Sequence, residues 1–295
     1  MDDPLKTRAP QLNWRSFSRS YPACIFTAIF IVHTCFSFAN SFILISWNIK
    51  DFGQSRDDKE MQMIADLIGH ADVIAIQEVV AKHPGGAQAV GRLSEALKRK
   101  GANWDYRISD PTKSPSAYIS ERYAYLWKTS RIKMLGHPYL LKEVDAAVHR
   151  EPFVALFDIG GLSFKMINYH SRTHDKSFEE SIEIKAITQW ISQQQNNNMI
   201  WSGDFNLRND HDAFNSLKQL GFNSCLNGQS TTLRMYCEDG NYMSLGEDNI
   251  YYKFNQSRKT ICKVQDFMKD RPCETVTTLR NVYSDHLPVE MLVEF

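Results

Sequence analysis

Polar and acidic side chains recur where apolar runs stop in this sequence. They are Asn48, Glu78, His170, Asp204 with Asn206, Asp248 with Asn249, and Asp285 with His286. One such end means little, because Asp and Asn commonly cap turns. Six of them point to a shared location, since ligands of layered α/β folds gather at one edge of the sheets. Carboxylates and amides with two histidines form an oxygen-rich set, which suits Mg²⁺ or Mn²⁺ rather than zinc. A hard cation beside positioned histidines suits phosphoester hydrolysis. The cation offsets charge on the phosphoryl group, one histidine activates water, and the other protonates the leaving oxygen.

Taken singly, each residue has a plainer reading. Asn48 reads as a loop cap, His170 as a satisfied strand-end histidine and Arg150 as a solvated surface charge. Asp204 with Asn206 reads as a turn. Asp285-His286 is harder to set aside, because Pro288 opens a strand that needs neither polar group. Asp210, His211 and Asp212 read as a helix start. His33, His70, His83, His137, His149 and His174 read as structural or surface residues. Lys50, Arg122 and Arg172 are candidate phosphate contacts.

The elements that must position these groups alternate between strand and helix. Phe42–Trp47, "DVIAIQE" ending at Glu78, "RYAYLWK", "PFVALFDI", "LSFKMINYH", "NMIWSGDFN", "NIYYKF" and "LPVEMLVEF" read as strands. In the last of them, Leu287, Val289, Met291 and Val293 share a face. Asp57–Gly69 reads as a helix with Met61, Ile64, Leu67 and Ile68 on one stripe. Val90, Leu93 and Leu97 mark another, with Gly101 as its stop. Glu179–Gln193 has helical spacing, and Ala213, Leu217 and Leu220 suggest a helix with Asp210 as its N-cap. The polar run "QQQNNN" reads as a loop. No Pro/Gly/Ser-rich linker interrupts the series, which predicts one α/β domain over residues 40–295.

The first forty residues differ. Lys6, Arg8, Arg15 and Arg19 precede an apolar run from about Ile25 to Phe38, and Ser37 and Ala39 suit a signal peptidase. The run is shorter than the roughly 20 residues that span a bilayer, and His33 interrupts it. The expectation is a signal peptide over 1–39, with an uncleaved anchor or an early start codon as alternatives. Cleavage would remove four basic and two acidic residues from a chain with 34 of each, leaving a net charge of −2. No global charge draws such a chain to nucleic acid, so phosphate recognition needs a local basic cleft. Cys24 and Cys35 fall in the leader. Cys225, Cys237, Cys262 and Cys273 remain, an even number that allows three connectivities. Pairing of sequence neighbours, Cys225 with Cys237 and Cys262 with Cys273, closes two short loops. No CxxC spacing invites zinc.

The stretches "SWNIKDFG", "VIAIQEV", "SERYAYLW", "HREPFVALF", "INYHSR", "SGDFN" and "YSDHLPVE" occur in an order that resembles the endonuclease/exonuclease/phosphatase superfamily. The resemblance is nearest to its deoxyribonuclease I branch and covers the chain after the leader. It implies a four-layer α/β-sandwich, two packed β-sheets flanked by helices, with the site in a cleft at one end. It assigns Glu78 to the metal and Asn48 beside it to metal or phosphate oxygen. It makes His170 and His286 the two catalytic histidines, supported by Glu121 and Asp248 respectively, with His286 as base and His170 as acid. Asp204 and Asn206 match a pair that binds phosphate oxygens or a second metal, and Asp285 matches a further metal carboxylate. Tyr118 and Arg150 match DNA contacts. Mg²⁺ is the implied cofactor, with Mn²⁺ as a substitute and Ca²⁺ as a structural or co-activating ion.

The sequence departs from that branch in places. Val80 and Asn249 stand where arginines are usual, and the cysteines are not where the animal enzyme's bridges fall. The resemblance implies a secreted or periplasmic endonuclease with DNA as substrate and little sequence specificity, leaving 5′-phosphate ends. It implies a monomer with no stable protein partner and no integral membrane association after leader removal. The competing readings are a phosphodiesterase acting on a phospholipid such as sphingomyelin, though the sequence shows no long aromatic hairpin, and an exported non-catalytic binding module.

Overall fold

Two six-stranded sheets, each built around one parallel pair, carry the whole arrangement. The computed structural model describes residues 41–114, 120–172, 180–195 and 197–294. The expected leader over 1–39 and Tyr118 lie outside these residues. In the first sheet the central strands are β1 (Ser41–Phe52) and β2 (Val73–Val80), joined through α1 (Asp58–Ile68). In the second they are β7 (Leu162–His170) and β8 (Met199–Asp204), joined through α3 (Glu180–Ser192).

The remaining strands pair antiparallel. The first sheet adds α2 (Gly85–Lys98), β3 (Trp104–Ile108), β4 (Glu121–Lys128), β13 (Lys259–Val264), α5 (Val276–Val282) and β14 (Val289–Glu294), with strand order β13-β14-β1-β2-β4-β3. The second adds β5 (Lys133–Leu140), β6 (Phe153–Ile159), α4 (Asn215–Gln219), β9 (Asn223–Ser224) and β12 (Asp248–Lys253), with order β5-β6-β7-β8-β12-β9. A two-stranded hairpin, β10 (Leu233–Glu238) and β11 (Asn241–Met243), stands apart.

Strand alternation sorts side chains into three cores. Phe42, Leu44, Tyr123, Tyr125, Phe157, Phe164, Met291 and Val293 fill the space between the sheets. Ile45, Trp47, Ile64, Ile68, Leu93 and Leu97 pack the first sheet's outer face against α1 and α2. Ile167, Trp201, Ile184, Ile187 and Leu217 do the same for the second sheet against α3 and α4. The four-layer sandwich is therefore the observed architecture. Leu287, Val289, Met291 and Val293 are all fully buried, as their alternation predicts.

Local chemistry sets the element ends. Asp57 caps α1: its side chain accepts from the Glu60 amide while the Glu60 side chain accepts from Asp57's own amide, an arrangement that stabilises by about 1 kcal/mol. The predicted helix around Ala213 breaks into a 3₁₀ turn over Asp212–Phe214 followed by the five-residue α4. Its cap is His211, whose ring accepts from the Ala213 amide, because Asp210 is turned back onto Arg208.

The cysteines pair as Cys225–Cys262 and Cys237–Cys273, not as sequence neighbours. Cys225 follows edge strand β9 of the second sheet, and Cys262 lies on edge strand β13 of the first. Both pack against the core between the sheets, so their bond staples the two sheet edges together. Cys237 leaves with the hairpin and meets the 3₁₀ turn that precedes α5.

Candidate active site

All the polar strand ends singled out in the sequence come to the same edge of the sandwich. The carboxyl ends of the parallel strands β1, β2, β7 and β8 bring Asn48, Glu78, His170 and Asp204. The antiparallel neighbours β4 and β12 start there, which brings Glu121 and Asp248, and His286 precedes β14. His170, Asp204 and Asp248 lie in one row across three strands, with Asp204 directly paired to both others. Gly203, at φ +151°, makes room for that row: a Cβ there would sit 1.7 Å from the Tyr169 carbonyl oxygen.

Asp204 is the centre. Its Oδ2 lies 3.4 Å from His170 Nε2 and 3.6 Å from His286 Nε2, and it accepts from Asn48 Nδ2 at 2.9 Å. Its Oδ1 accepts from the Asn206 amide at 2.9 Å, which fits the left-handed φ of +45° at that asparagine. Each histidine is held from behind. His170 Nδ1 lies 2.9 Å from Glu121 Oε1, and His286 Nδ1 lies 2.9 Å from Asp248 Oδ2. A carboxylate at Nδ1 fixes the ring and leaves Nε2 facing the centre.

Neither β1 nor β2 ends where its apolar run suggests. Both continue past the site residue through an irregularity, β1 to Phe52 and β2 to Val80. Glu78 sits in that irregularity at φ +59°. Its Oε1 accepts from Asn48 Nδ2 at 3.0 Å and its Oε2 from the Asp51 amide at 3.1 Å.

Other expected residues have different surroundings. Arg150 is not a solvated charge. It is mostly buried, its Nε lies 3.5 Å from Glu121 Oε2, and it donates to the Ser171 carbonyl at 2.9 Å. Asp285 points to Lys50 and Arg280, at 3.0 and 3.1 Å. Arg122 donates to the Ser109 carbonyl, and Arg172 lies against His149.

Several supporting residues were not singled out in the sequence. Thr231 donates to Asp248 Oδ2 at 2.6 Å. Trp47 Nε1 holds the His286 carbonyl at 2.8 Å, and Ser284 Oγ ties the Asn48 carbonyl to that same segment. Glu183, fully buried on α3, accepts from Ser171 Oγ at 2.6 Å, from the His149 amide at 2.7 Å and from Tyr169. Only the oddity of a glutamate on the apolar stripe of a helix marks Glu183 in the sequence.

The charges are tightly linked. Burial pulls both imidazoles towards neutrality, but the facing carboxylates outweigh it. His286 is raised well above its ordinary value by Asp248 and Asp204, and His170 is raised by Glu121. Burial is the main cause that raises the Asp248 carboxyl, opposed by His286. Asp285 is lowered: His286, Lys50 and Arg280 overcome its burial.

A raised histidine contributes stability that is full below its unfolded pKa, about 6.5, and is lost as pH rises through the folded value. The chelator-treated protein is therefore expected to lose thermal stability as pH climbs above about 6.5. His286→Ala should flatten that slope in melting curves taken across pH. An unchanged slope would show that the His286–carboxylate cluster is not its source.

The donor set fits a hard divalent cation. Asp204, Asp248 and His286 each offer one ligand atom, all within 4.8 Å of one another. Asn48 is fully buried, yet its Oδ1 has no protein hydrogen-bond partner while its amide nitrogen serves two carboxylates. A buried carbonyl oxygen left open beside the Glu78 and Asp204 carboxylates suits an oxygen-seeking ion such as Mg²⁺ or Mn²⁺.

Residues 45–268 match the model of the Endonuclease/Exonuclease/phosphatase family. The chain belongs to this family. A deoxyribonuclease from Thioalkalivibrio sp. (strain K90mix) is 29% identical over 217 residues, which is 70% of this chain and 57% of that protein. The chain thus matches a little over half the length of that relative. Among solved structures, a family protein from Bacteroides thetaiotaomicron superposes with TM-score 0.60 at 16% identity, covering 86% of this chain and 98% of its own. The same fold appears in D. rerio TDP2 complexed with a single-strand DNA product, with TM-score 0.59, 16% identity and coverage of 86% and 99%. It appears again in a mannosyl-6-phosphatase from B. thetaiotaomicron, with TM-score 0.59, 15% identity and coverage of 86% and 100%.

Proposed function

We propose that the protein is a divalent-cation-dependent phosphodiesterase that cuts DNA with little sequence specificity and leaves 5′-phosphate ends. One observation carries this reading. Two histidines, each backed by a carboxylate at Nδ1, direct their Nε2 atoms at the same buried Asp204. This is the geometry needed to move one proton off water and another onto a leaving oxygen.

In the proposed reaction His286 Nε2 takes the proton of the attacking water, and Asp248 stabilises the imidazolium that forms. The P–O3′ bond breaks as the water oxygen bonds to phosphorus. His170, protonated and steadied by Glu121, gives its Nε2 proton to the departing 3′ oxygen. The assignment of base and acid follows the family resemblance. Asn206, which gives one side-chain N–H to the Ser171 carbonyl, offers the other to a phosphate oxygen, while Glu78 and Asp204 hold both N–H groups of Asn48. Glu78, Asn48, Asp204 and Asp248 would hold the cation, Mg²⁺ or Mn²⁺. When bound it supplies charge neutralisation at the phosphoryl group, and its charge offsets the carboxylates that hold the histidines protonated. Asp285 belongs to this proposal as an outer carboxylate, bound through Lys50 and Arg280 to the site's rim. Arg150 fits a role beneath the phosphate, steadying Glu121, and Tyr118 remains a proposed DNA contact. Ca²⁺ is proposed only as a structural or co-activating ion.

The deoxyribonuclease relative favours DNA over other phosphodiesters. A phospholipid substrate is the second reading, and the hairpin favours it. Met235 and Tyr236 on β10 and nearby Leu245 are exposed, and adjoining Thr232 bridges to His286. The two disulfides fit an oxidising compartment, and among the described residues no helix is long and apolar enough to cross a membrane. We extend the proposal to a leader over 1–39, a domain over 40–295, and a monomeric product that is secreted or periplasmic.

Purified protein should nick supercoiled plasmid with Mg²⁺ and stop with chelator. Glu78→Ala should require more Mg²⁺ for the same rate. Release of phosphocholine from sphingomyelin vesicles without plasmid cutting would replace DNA by lipid. Intact plasmid and intact lipid under every divalent ion would end both readings.

A further inference from the structure

Glu78 reaches the site only because β2 carries an extra residue there. Ile76 pairs with Ala124 and Val79 pairs with Arg122, so Gln77 and Glu78 together face the single residue Tyr123. This is a β-bulge, and bulges serve to re-aim a side chain. The cost is local: Glu78 stands at φ +59°, uncommon for a residue with a Cβ. Backbone carbonyls at a broken ladder also need other donors.

Those donors come from the opposite sheet. Asn168, fully buried on β7, sends its Nδ2 to the Ile76 carbonyl at 3.0 Å and to the Ala124 carbonyl at 3.3 Å. Its Oδ1 accepts from Gln77 Nε2 at 2.6 Å, and Gln77 also donates to Ser46 Oγ at 3.2 Å. Gln77 is itself fully buried. The pair bridges β7 of one sheet to β1, β2 and β4 of the other, in a layer otherwise filled by apolar side chains. Buried amides in such a layer destabilise unless bonded; Asn168 uses its Oδ1 and both N–H groups, and Gln77 uses its Nε2 but leaves Oε1 without a partner. Their bonds converge on the residues that flank the irregular stretch of β2.

We propose that Asn168 and Gln77 are positioning residues that clamp the β2 bulge and thereby hold the Glu78 carboxylate in the cation site. They touch neither substrate nor reacting atoms. The inference rests on the reading of Glu78 as a cation ligand. Removal of the Asn168 amide takes a donor from each of the two carbonyls that flank the bulge and frees β2 to slide towards a regular ladder. A regular ladder would turn Glu78 away, because each residue of slip reverses side-chain direction.

Mn²⁺ affinity measured by calorimetry on the folded protein, well below its melting temperature, tests this. Asn168→Leu keeps the side-chain size and should weaken Mn²⁺ binding by about 10- to 100-fold, the range seen when supports of metal ligands are lost. Tyr125→Phe is the control. It removes a buried hydroxyl bonded to the Phe153 and Met166 carbonyls in the same layer, and should lower the melting temperature with Mn²⁺ affinity unchanged. If Asn168→Leu does not fold, Gln77→Met carries the test with the same expected direction. Unchanged Mn²⁺ affinity in the folded clamp variant overturns the clamp, as does equal weakening in Tyr125→Phe. Glu78→Ala separates the two levels: wild-type Mn²⁺ affinity there overturns the reading of Glu78, and the clamp's purpose with it.

Discussion

His170→Ala and His286→Ala are each expected to slow DNA cleavage by about 10²- to 10⁴-fold, the usual contribution of a positioned acid or base. The two rings face the same carboxylate oxygen and each is held by its own backing carboxylate, so neither can take over the other's proton site without leaving that partner. The losses should not add. Once one proton transfer is missing the other has less to assist, so the double variant should fall little below the weaker single one. Leaving-group chemistry separates the roles. A nitrophenyl phosphodiester departs as a stable anion and needs no proton, so it should rescue His170→Ala and leave His286→Ala slow. Rescue of His286→Ala instead would exchange acid and base. Rates within about tenfold of the starting protein for both, below the acid–base range, would remove the histidines from the mechanism.

The second large effect concerns the covalent staples. The bonds close loops of 37 and 36 residues, each worth about 4 kcal/mol by loop-closure entropy. Cys225→Ser with Cys262→Ser should therefore lower the melting temperature by about 8–15 °C for a domain of this size. The loops interlace, because Cys237 lies inside the first and Cys273 outside it. Each bond already restricts the chain that the other closes, so loss of both should cost less than twice as much. Calorimetric scans with and without reductant measure this. Nicking at 25 °C should survive the Cys225/Cys262 change, since that bond joins sheet edges rather than the strands that carry His170, Asp204 and Asp248. An unchanged melting temperature would mean that the bond is absent or that its loop is already ordered in the unfolded chain.

The core strands were legible because they are apolar and uninterrupted: β7 spans Leu162–His170 as the pattern predicts. Edge strands were not. β5 and β13 contain only exposed and half-buried residues, so they lack the apolar run that marks a strand. The hairpin strand β10 likewise has only one buried residue, Leu233. Cysteine pairing was also hidden, since it follows from which edge strands lie side by side across the sandwich. The site was legible in its motif residues, yet not in what supports them. Thr231 reaches Asp248 from 17 residues away and Trp47 reaches His286 from 239, and no local pattern records such contacts. The irregularities at Asn48 and Glu78 were invisible for a related reason. A bulge is a mismatch between two strands, and each strand alone reads as regular.

The row formed by His170, Asp204 and Asp248 makes chemistry a gauge of strand alignment. β8 is bounded by a parallel neighbour on one side and an antiparallel one on the other. A chain with native secondary structure but β8 displaced by one position would turn Asp204 from the site to the opposite face. Such a species would bury nearly as much surface, and spectroscopy of helices and strands would scarcely distinguish it from the native state. Under the proposed mechanism catalysis would, because it needs both alignments at once, so recovered activity after refolding counts the molecules that settled all three strands in phase.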